Sequence, residues 1–336
     1  MRKPAIDLLR IFAAFGVVAF HYFYLFPDSA NAFPAPVRAG ASYGYLGVEI
    51  FFMISGYVIA LSAKERTQTQ FVYARFVRLW PAFVMCLSIT IFVQGVSGNP
   101  LGFLDLLGNL TMVPHLLGVR YADEVYWSLM FEILFYCAIA MFVVSESNFV
   151  SRLRNFTMVW LALALLGQYI DLPKIKVILV LDYAPFFAVG VSIYLVRNSA
   201  SNTVDRLLFG CSILSAVVFA MKQSAIRSPV LNHPDPWICA LIIAGSAGLV
   251  YVGTMAKLGP RAAKLSYALG GTSYPLYLLH SRFGSILGEW VAAQAGALSV
   301  MTAIGAALGV SWVIWRIEIP VRQYMQTIRW SSLTRA

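Results

Sequence analysis

The sequence predicts an all-α polytopic membrane protein with about ten transmembrane helices and both termini in the cytoplasm. Its 336 residues are 60% hydrophobic and 12% charged, about half of the roughly 25% charged residues found in soluble proteins. The net charge of +10 comes from basic residues that lie between apolar stretches. This distribution is typical of membrane topology signals and not of a nucleic-acid-binding surface, so we expect no nucleic-acid partner.

Ten apolar stretches approach the length of about 20 residues that a helix needs to cross a bilayer. They lie near residues 6–26, 46–63, 79–97, 125–144, 156–170, 177–196, 207–221, 237–255, 266–288 and 298–317. Segment 101–118 is also apolar but is interrupted by Gly, Asn and Pro, so we expect it to be interfacial or re-entrant. We expect one transmembrane domain over residues 1–336, without a separate soluble domain.

The lysines and arginines predict the orientation of these spans. If the N-terminus is cytoplasmic, 18 of the 25 basic residues fall on the cytoplasmic side, as the positive-inside rule requires. An odd number of spans would break this alternation. We therefore expect a multi-pass protein of the plasma (inner) membrane.

Two histidines and two glutamates are predicted to share one layer of the membrane. His21, Glu49, Glu132 and His280 come from four different spans, each about 5 to 12 Å from the outer end at 1.5 Å of rise per residue. Ionisable groups at such depths are costly and are often functional. A histidine beside a carboxylate is a common arrangement for proton abstraction, so these residues could supply a base and the group that orients it. Alternatively, His21 belongs to an interfacial aromatic belt and Glu132 to a structural pair.

Three arginines are predicted near the cytoplasmic mouth. Arg75 and Arg78 would share a helix face if their helix begins before Trp80, and Arg10 lies roughly 16 Å from His21 along one helix. Together they could bind phosphates, whereas topology anchoring is the simpler alternative. Acyl-CoA fits both ends of this path, because its nucleotide carries phosphates and its long arm carries a reactive thioester. The four cysteines are scattered singly, so we expect no metal site.

Six motifs follow one another along the chain: IDLLRIFAAFGVVAFH, GYLGVEIFFMISGYVI, FVYARFVRLWPAF, VYWSLMFEILFY, SYPLYLLH and RIEIPVRQ. Together they resemble the acyltransferase-3 family of integral-membrane acyltransferases, over roughly residues 6–322. The first motif resembles the family's Arg-x10-His pattern, carried here by Arg10 and His21. One departure is Glu49, since Asp is common at that position.

The resemblance implies an O-acyltransferase that moves an acyl group, most simply acetyl, from acyl-CoA to a hydroxyl of an extracytoplasmic glycan or glycolipid. It implies catalytic roles for His21, Glu132 and His280, and donor binding by Arg10, Arg75 and Arg78. His21 would be the general base or would carry the acyl group transiently, Glu132 would orient or charge-balance it, and His280 would shape the site. The supporting residues that it implies are Glu49, Ser55, Trp127, Ser128, Tyr136, Ser273, Tyr274 and Tyr277. The acceptor would enter near residues 27–45 and 98–124. Some family members carry a C-terminal hydrolase-like domain that we do not expect here, so the chain would complete the transfer itself or use a separate partner.

Two other functions fit the same residues. The intramembrane His and Glu residues would form a proton relay in a transporter or exporter. A non-catalytic membrane scaffold would not need them. Binding of CoA by the purified protein would distinguish an enzyme from a carrier.

Overall fold

The computed structural model describes residues 3–25, 33–144, 147–170, 172–198, 201–231, 234–292 and 296–333, which contain α-helices and no strand. Fourteen α-helices are described: α1 (Pro4–Phe20), α2 (Ala35–Ala41), α3 (Gly47–Ala63), α4 (Gln68–Val96), α5 (Phe103–Leu110), α6 (Trp127–Phe142), α7 (Phe149–Leu166), α8 (Pro173–Ile178), α9 (Ala184–Asn198), α10 (Thr203–Leu231), α11 (Pro236–Gly253), α12 (Pro260–Leu279), α13 (Arg282–Ala292) and α14 (Gly296–Leu333). The predicted all-α membrane architecture is confirmed.

Eight helical stretches of the described chain are long and apolar enough to cross a membrane. They are Pro4–Leu25, Ala35–Ala63, Gln68–Val96, Glu124–Phe142, Phe149–Leu166, Thr203–Ile226, Pro236–Gly253 and Gly296–Thr327. The two other predicted spans correspond to α9, an apolar helix of 15 residues, and to α12. All ten predicted regions thus contain helix, while the number that crosses the bilayer stays a prediction.

Helix α9 lies at the centre of the bundle, where it packs against α3, α7 and α10. Residues from Ala184 to Leu195 are buried all round, as expected of a helix with no polar face. Its contact with α3 is close because glycines lie at the crossing. A Cβ atom on Gly190 would overlap the carbonyl oxygen of Met53, and one on Gly56 would overlap that of Phe187.

Helix α4 begins well before Trp80, which satisfies the condition for Arg75 and Arg78 to share a helix face. Its first turn is closed by a reciprocal capping box between Thr67 and Gln70, which satisfies two backbone donors. Pro81 lies inside the helix. Segment 101–118 forms the short helix α5 and a 3-10 turn, Pro114–Leu117, in place of a span.

The helices that carry the two intramembrane histidines change geometry at those residues. Helix α1 continues as a π-helical turn, His21–Leu25. The region 266–288, predicted as one span, is divided between two helices, because α12 ends at Leu279 and α13 begins at Arg282. The backbone N–H of Arg282 donates to the Asp123 carboxylate at 2.7 Å instead of to a carbonyl one turn earlier. Asp123 thus caps α13 and divides the span at His280.

Candidate functional site

The imidazole rings of His21 and His280 are in direct contact. Nδ1 of His21 lies 3.2 Å from Nε2 of His280, and the ring centroids are 4.8 Å apart with the rings nearly perpendicular. Helices α1 and α12 pack along each other, which brings both residues together at the same end of the two helices. The chain thus builds a histidine pair from residues that are 259 positions apart.

The hydrogen bonds of the pair assign its tautomers. Nδ1 of His280 lies 2.7 Å from the carbonyl oxygen of Tyr277, so it carries the proton because a carbonyl only accepts. Nε2 of His280 is then an acceptor for Nδ1–H of His21, which also faces the Val17 carbonyl at 2.9 Å. The lone pair of His21 therefore resides on Nε2, where it can act as a base.

Two contacts fix the backbone around His280. The hydroxyl of Tyr22, the residue after His21, donates to the His280 carbonyl at 2.6 Å. Asp123 receives the N–H of Arg282 and also that of Val125, at 3.2 Å. Burial raises the pKa of the Asp123 carboxyl to about 6, although the hydrogen bond from the Arg282 N–H lowers it. Sequence reasoning did not find Tyr22 or Asp123, whose only signals were their positions beside a motif.

A cavity of about 530 Å³ opens beside the histidine pair, within the size range of small-molecule sites. We call it the His21 cavity. Its walls include His21, Phe20, Tyr45, Val48, Glu49, Glu124, Trp127, Tyr183 and Tyr277. Of the predicted supporting residues, Glu49, Trp127 and Tyr277 therefore line this cavity. Among the segments expected to admit the acceptor, residues 27–32 lie outside the described chain.

The hydrogen bonds of Glu132 lead away from the histidine pair. Its Oε1 accepts from Ser55 Oγ at 3.1 Å and from the hydroxyl of Tyr136. The expected orienting neighbour of His21 was Glu132, but the group at Nδ1 of His21 is His280. The difference arises because equal depth in two helices does not determine which faces of those helices meet.

Glu132 lines a second, narrow cavity of about 50 Å³, the central cavity. Its walls also include Arg10, Val48, Arg78, Ser128, Ser273, Tyr274 and Tyr277. Ser128 Oγ and the Tyr277 hydroxyl are 2.7 Å apart, and the Arg78 guanidinium lies over the Tyr274 ring at 5.9 Å. The central cavity thus gathers four of the predicted supporting residues around one carboxylate and two arginines.

A third cavity, the arginine cavity, lies around the N-terminal half of α1. Its polar lining residues are Lys3, Asp7, Arg10, Tyr57, Arg78, Tyr267 and Arg322. The fully buried carboxylate of Glu318 holds Arg78 at 3.1 Å and Arg322 at 3.0 Å. Nε of Arg10 is buried and has no hydrogen-bond partner among the described residues. Buried donors of this kind are usually satisfied by water or a ligand.

Arg75 lies apart from the other two predicted donor-binding arginines. It lines a separate, mainly apolar cavity with Phe71, Trp80 and Tyr136, and its guanidinium lies 5.9 Å from the Phe71 ring centroid. Arg10 and Arg78 therefore share a cavity, while Arg75 contributes charge from a neighbouring one.

The three cavities follow one another along α1. The arginine and central cavities share Arg10 and Arg78, and the central and His21 cavities share Val48 and Tyr277. The described residues contain no group of three or more His, Cys, Asp or Glu able to hold a metal ion. The site is thus a row of three adjacent cavities with cations at one end and a histidine pair at the other.

Residues 3–316 match the protein family described as "Acyltransferase domain". Over 282 residues the chain is 24% identical to the exopolysaccharide production protein ExoZ of Rhizobium meliloti, covering 79% of this chain and 80% of that protein. Over 157 residues it is 29% identical to the peptidoglycan O-acetyltransferase OatA of Listeria monocytogenes, covering 40% of this chain and only 23% of OatA. No solved structure gives a significant match. Because the family match covers nearly its whole length, the chain belongs to the acyltransferase-3 family of membrane proteins.

Proposed function

We propose that this protein moves an acetyl group from cytoplasmic acetyl-CoA to a sugar hydroxyl of an extracytoplasmic polysaccharide or glycolipid. The observation that carries the proposal is the succession of cavities from Arg10 and Arg78 to the lone pair of His21. Family membership and a relative named as a peptidoglycan O-acetyltransferase support the reaction class. The relative named for exopolysaccharide production supports a polysaccharide acceptor.

The donor binds at the arginine cavity in this proposal. With the N-terminus in the cytoplasm, as the basic residues predict, this cavity opens to the cytoplasmic side. Four basic residues line the cavity: Lys3, Arg10, Arg78 and Arg322. They outnumber the two nearby acidic residues, Asp7 and Glu318, so the cavity has a net positive charge. Arginine forks match phosphate oxygens well, and the unpartnered Nε of Arg10 offers a donor to such an oxygen.

The acyl arm of the donor then extends through the central cavity towards His21. Arg10 and His21 are separated by roughly 16 Å of helix. The central cavity is narrow, at about 50 Å³, so a thin extended chain is the shape that can pass it once side chains adjust. The pantetheine arm of CoA has this shape and ends in the thioester.

The tautomer of His21, with its lone pair on Nε2, allows this residue to act as the base in the transfer. Nε2 accepts the proton of the acceptor hydroxyl while the hydroxyl oxygen attacks the thioester carbonyl carbon. A C–O bond forms, the C–S bond breaks, and the departing thiolate takes the proton from the imidazolium. His280 Nε2 and the Val17 carbonyl both face Nδ1–H of His21, so they stabilise the positive charge while it exists. General-base catalysis of this kind typically contributes about 10²–10⁴-fold.

The same lone pair can also attack the thioester carbon itself. A C–N bond to His21 then forms, the C–S bond breaks, CoA leaves as the thiolate, and the acceptor hydroxyl later takes the acetyl group from the imidazole. Mixing the protein with acetyl-CoA in the absence of acceptor separates the two routes. A burst of CoA release equal to the amount of protein indicates the covalent route, and CoA release that requires the acceptor indicates direct transfer.

The proposal is tested in membrane vesicles that contain the protein and receive labelled acetyl-CoA on the cytoplasmic face. We expect CoA release and labelled glycan on the opposite face. A proton-coupled exporter, the alternative function, would need neither CoA binding nor thioester cleavage. Purified protein that fails to bind CoA would therefore contradict the proposed function.

A further inference from the structure

The His21 cavity differs in charge from the arginine cavity. Apart from His21, which is neutral in the tautomer assigned above, the acidic or basic residues in its described lining are Glu49 and Glu124, and neither lysine nor arginine is present. The arginine cavity has four basic residues and one acidic residue in its lining. The two ends of the row of cavities therefore favour ligands of different charge.

The two carboxylates lie at different positions in the His21 cavity. Glu49 is in the first turn of α3 and is 1% exposed. Glu124 is exposed, in the 3-10 turn that precedes α6. A ligand that reaches His21 thus meets one carboxylate in the wall and another at the solvent-exposed side of the cavity.

Aromatic rings form much of the remaining surface. The rings of Trp127 and Tyr183, which both line the cavity, have centroids 5.3 Å apart. Phe20 and Tyr45 form a second pair with centroids 5.8 Å apart. Trp and Tyr combine an apolar ring face with a polar group. A pyranose has the matching surface, because its C–H face packs on an aromatic ring while its hydroxyls donate to carboxylates.

We propose that the His21 cavity is the acceptor subsite and that it selects a neutral or amine-bearing sugar unit over an anionic one. Glu49 and Glu124 accept hydrogen bonds from acceptor hydroxyls or an ammonium group. The same carboxylates repel a carboxylate or phosphate group on the sugar that carries the reacting hydroxyl. This inference rests on the proposed function for its reaction, but the binding preference can be measured without it.

The expected size of the preference follows from Coulomb's law. Like charges several ångströms apart near a protein surface repel strongly enough to change an affinity at least about tenfold. A cation in the cavity lining would cancel this effect, and the described lining contains none. The preference should therefore depend on Glu124, the carboxylate that solvent and ligand reach first.

The test measures how sugars protect His21 from diethylpyrocarbonate. Modification of the His21 peptide is quantified by mass spectrometry relative to that of the exposed His115, which lies outside the cavity lining and corrects for reagent consumed by an amine-bearing sugar. The probes are methyl glucoside, methyl glucosaminide and methyl glucuronoside at equal concentration and ionic strength. We expect the first two to slow the modification and the glucuronoside to be at least about tenfold less effective. In Glu124→Gln the glucuronoside should protect His21 nearly as well as the neutral sugar does. Glu65→Gln is the matched control, because Glu65 is exposed outside this cavity, and it should behave as the unmodified protein.

Equal protection by all three sugars, or no protection by any of them, would overturn the subsite. The same holds if Glu124→Gln leaves the preference unchanged. The reaction with diethylpyrocarbonate needs no CoA, so its result is separate from that of the acetyl-transfer assay. If the protein transfers labelled acetyl groups but shows no sugar preference in the protection assay, the acceptor-subsite inference is wrong and the proposed function is still supported.

Discussion

His280 Nε2 lies 3.2 Å from His21 Nδ1, and its own Nδ1 is held by the carbonyl of Tyr277. The His280 ring and a backbone carbonyl thus occupy the position that an orienting carboxylate takes in other catalytic pairs. Glu132 instead accepts hydrogen bonds from Ser55 and Tyr136.

The first prediction concerns His280 as the residue that orients His21. His280→Leu removes the acceptor for Nδ1–H of His21, so we expect kcat for acetyl transfer to fall about 10²-fold, with KM for acetyl-CoA nearly unchanged. His280→Gln offers an amide oxygen as acceptor and should retain more activity. Steady-state kinetics of both variants in the same membranes check this. Equal activity of the Leu and Gln variants would contradict the orienting role.

The second prediction compares the arginines. Arg10→Ala and Arg78→Ala should each weaken CoA binding about 10- to 100-fold, because a charge-assisted hydrogen bond contributes roughly 1.5–3 kcal/mol. In Arg78→Ala, Glu318 keeps Arg322 as its partner, so the fold should persist. Arg75→Ala is the matched control on the same helix, and we expect a smaller loss because Arg75 lines another cavity. Calorimetric titration with CoA measures the affinity of all three variants. A larger loss of CoA affinity in Arg75→Ala than in the other two would contradict the assignment of Arg10 and Arg78 as the donor-binding residues.

The third prediction concerns the pH dependence that Asp123 gives to stability. Its pKa is about 6 in the folded protein and near 3.9 when unfolded. The folded state therefore holds the proton more tightly, and the free energy of unfolding should fall as pH rises from about 4 to 6. The full change is about 3 kcal/mol at 1.36 kcal/mol per pKa unit.

Asp123→Asn removes this titration while keeping an acceptor for the Arg282 N–H. Thermal stability of both proteins is measured in detergent at a series of pH values. The stability of the unmodified protein relative to Asp123→Asn should fall as pH rises from about 4 to 6 and be constant above that range. A difference independent of pH would show that the carboxyl does not titrate there.

The fourth prediction concerns the close packing of α3 on α9. Gly190→Ala should destabilise the protein strongly, because the added methyl group would overlap the Met53 carbonyl and separate the two helices. Gly210→Ala in α10 is the control, since a Cβ there meets nothing within 4 Å, and it should stabilise slightly through helix propensity. Thermal unfolding of both variants tests this, and similar melting temperatures would contradict the packing argument.

Much of the fold could be predicted from the sequence because hydropathy and charge act over whole spans. The helices from Pro4, Gln68 and Pro236 agree with predicted spans to within the usual uncertainty at their ends, except that the helix from Gln68 begins 11 residues before the span predicted for 79–97. The division of the ninth span was not predictable, because it depends on Asp123 accepting the Arg282 N–H across 159 residues of sequence. No local pattern at residues 279–282 carries that information.

The sequence predicted which residues belong to the candidate site better than it predicted which of their side chains are in contact. His21, His280 and Glu132 follow from motif resemblance and depth, but which side chains meet depends on the rotation of each helix about its axis. The π-helical turn at His21–Leu25 changes that rotation and is not signalled by the sequence. Tyr183 of the His21 cavity lies outside the predicted site residues and became visible only when distant segments were brought together. Glu124 was covered only as the last residue of the segment 98–124 that was expected to admit the acceptor.

The central claim is that Nε2 of His21 performs the transfer, and its most direct measurement is acetyl transfer by His21→Ala. The variant should bind CoA as the unmodified protein does, because Arg10 and Arg78 are unchanged. It should transfer labelled acetyl to the glycan at least about 10²-fold more slowly. Normal CoA binding with transfer reduced to that extent would support the claim. Transfer at the rate of the unmodified protein would contradict it.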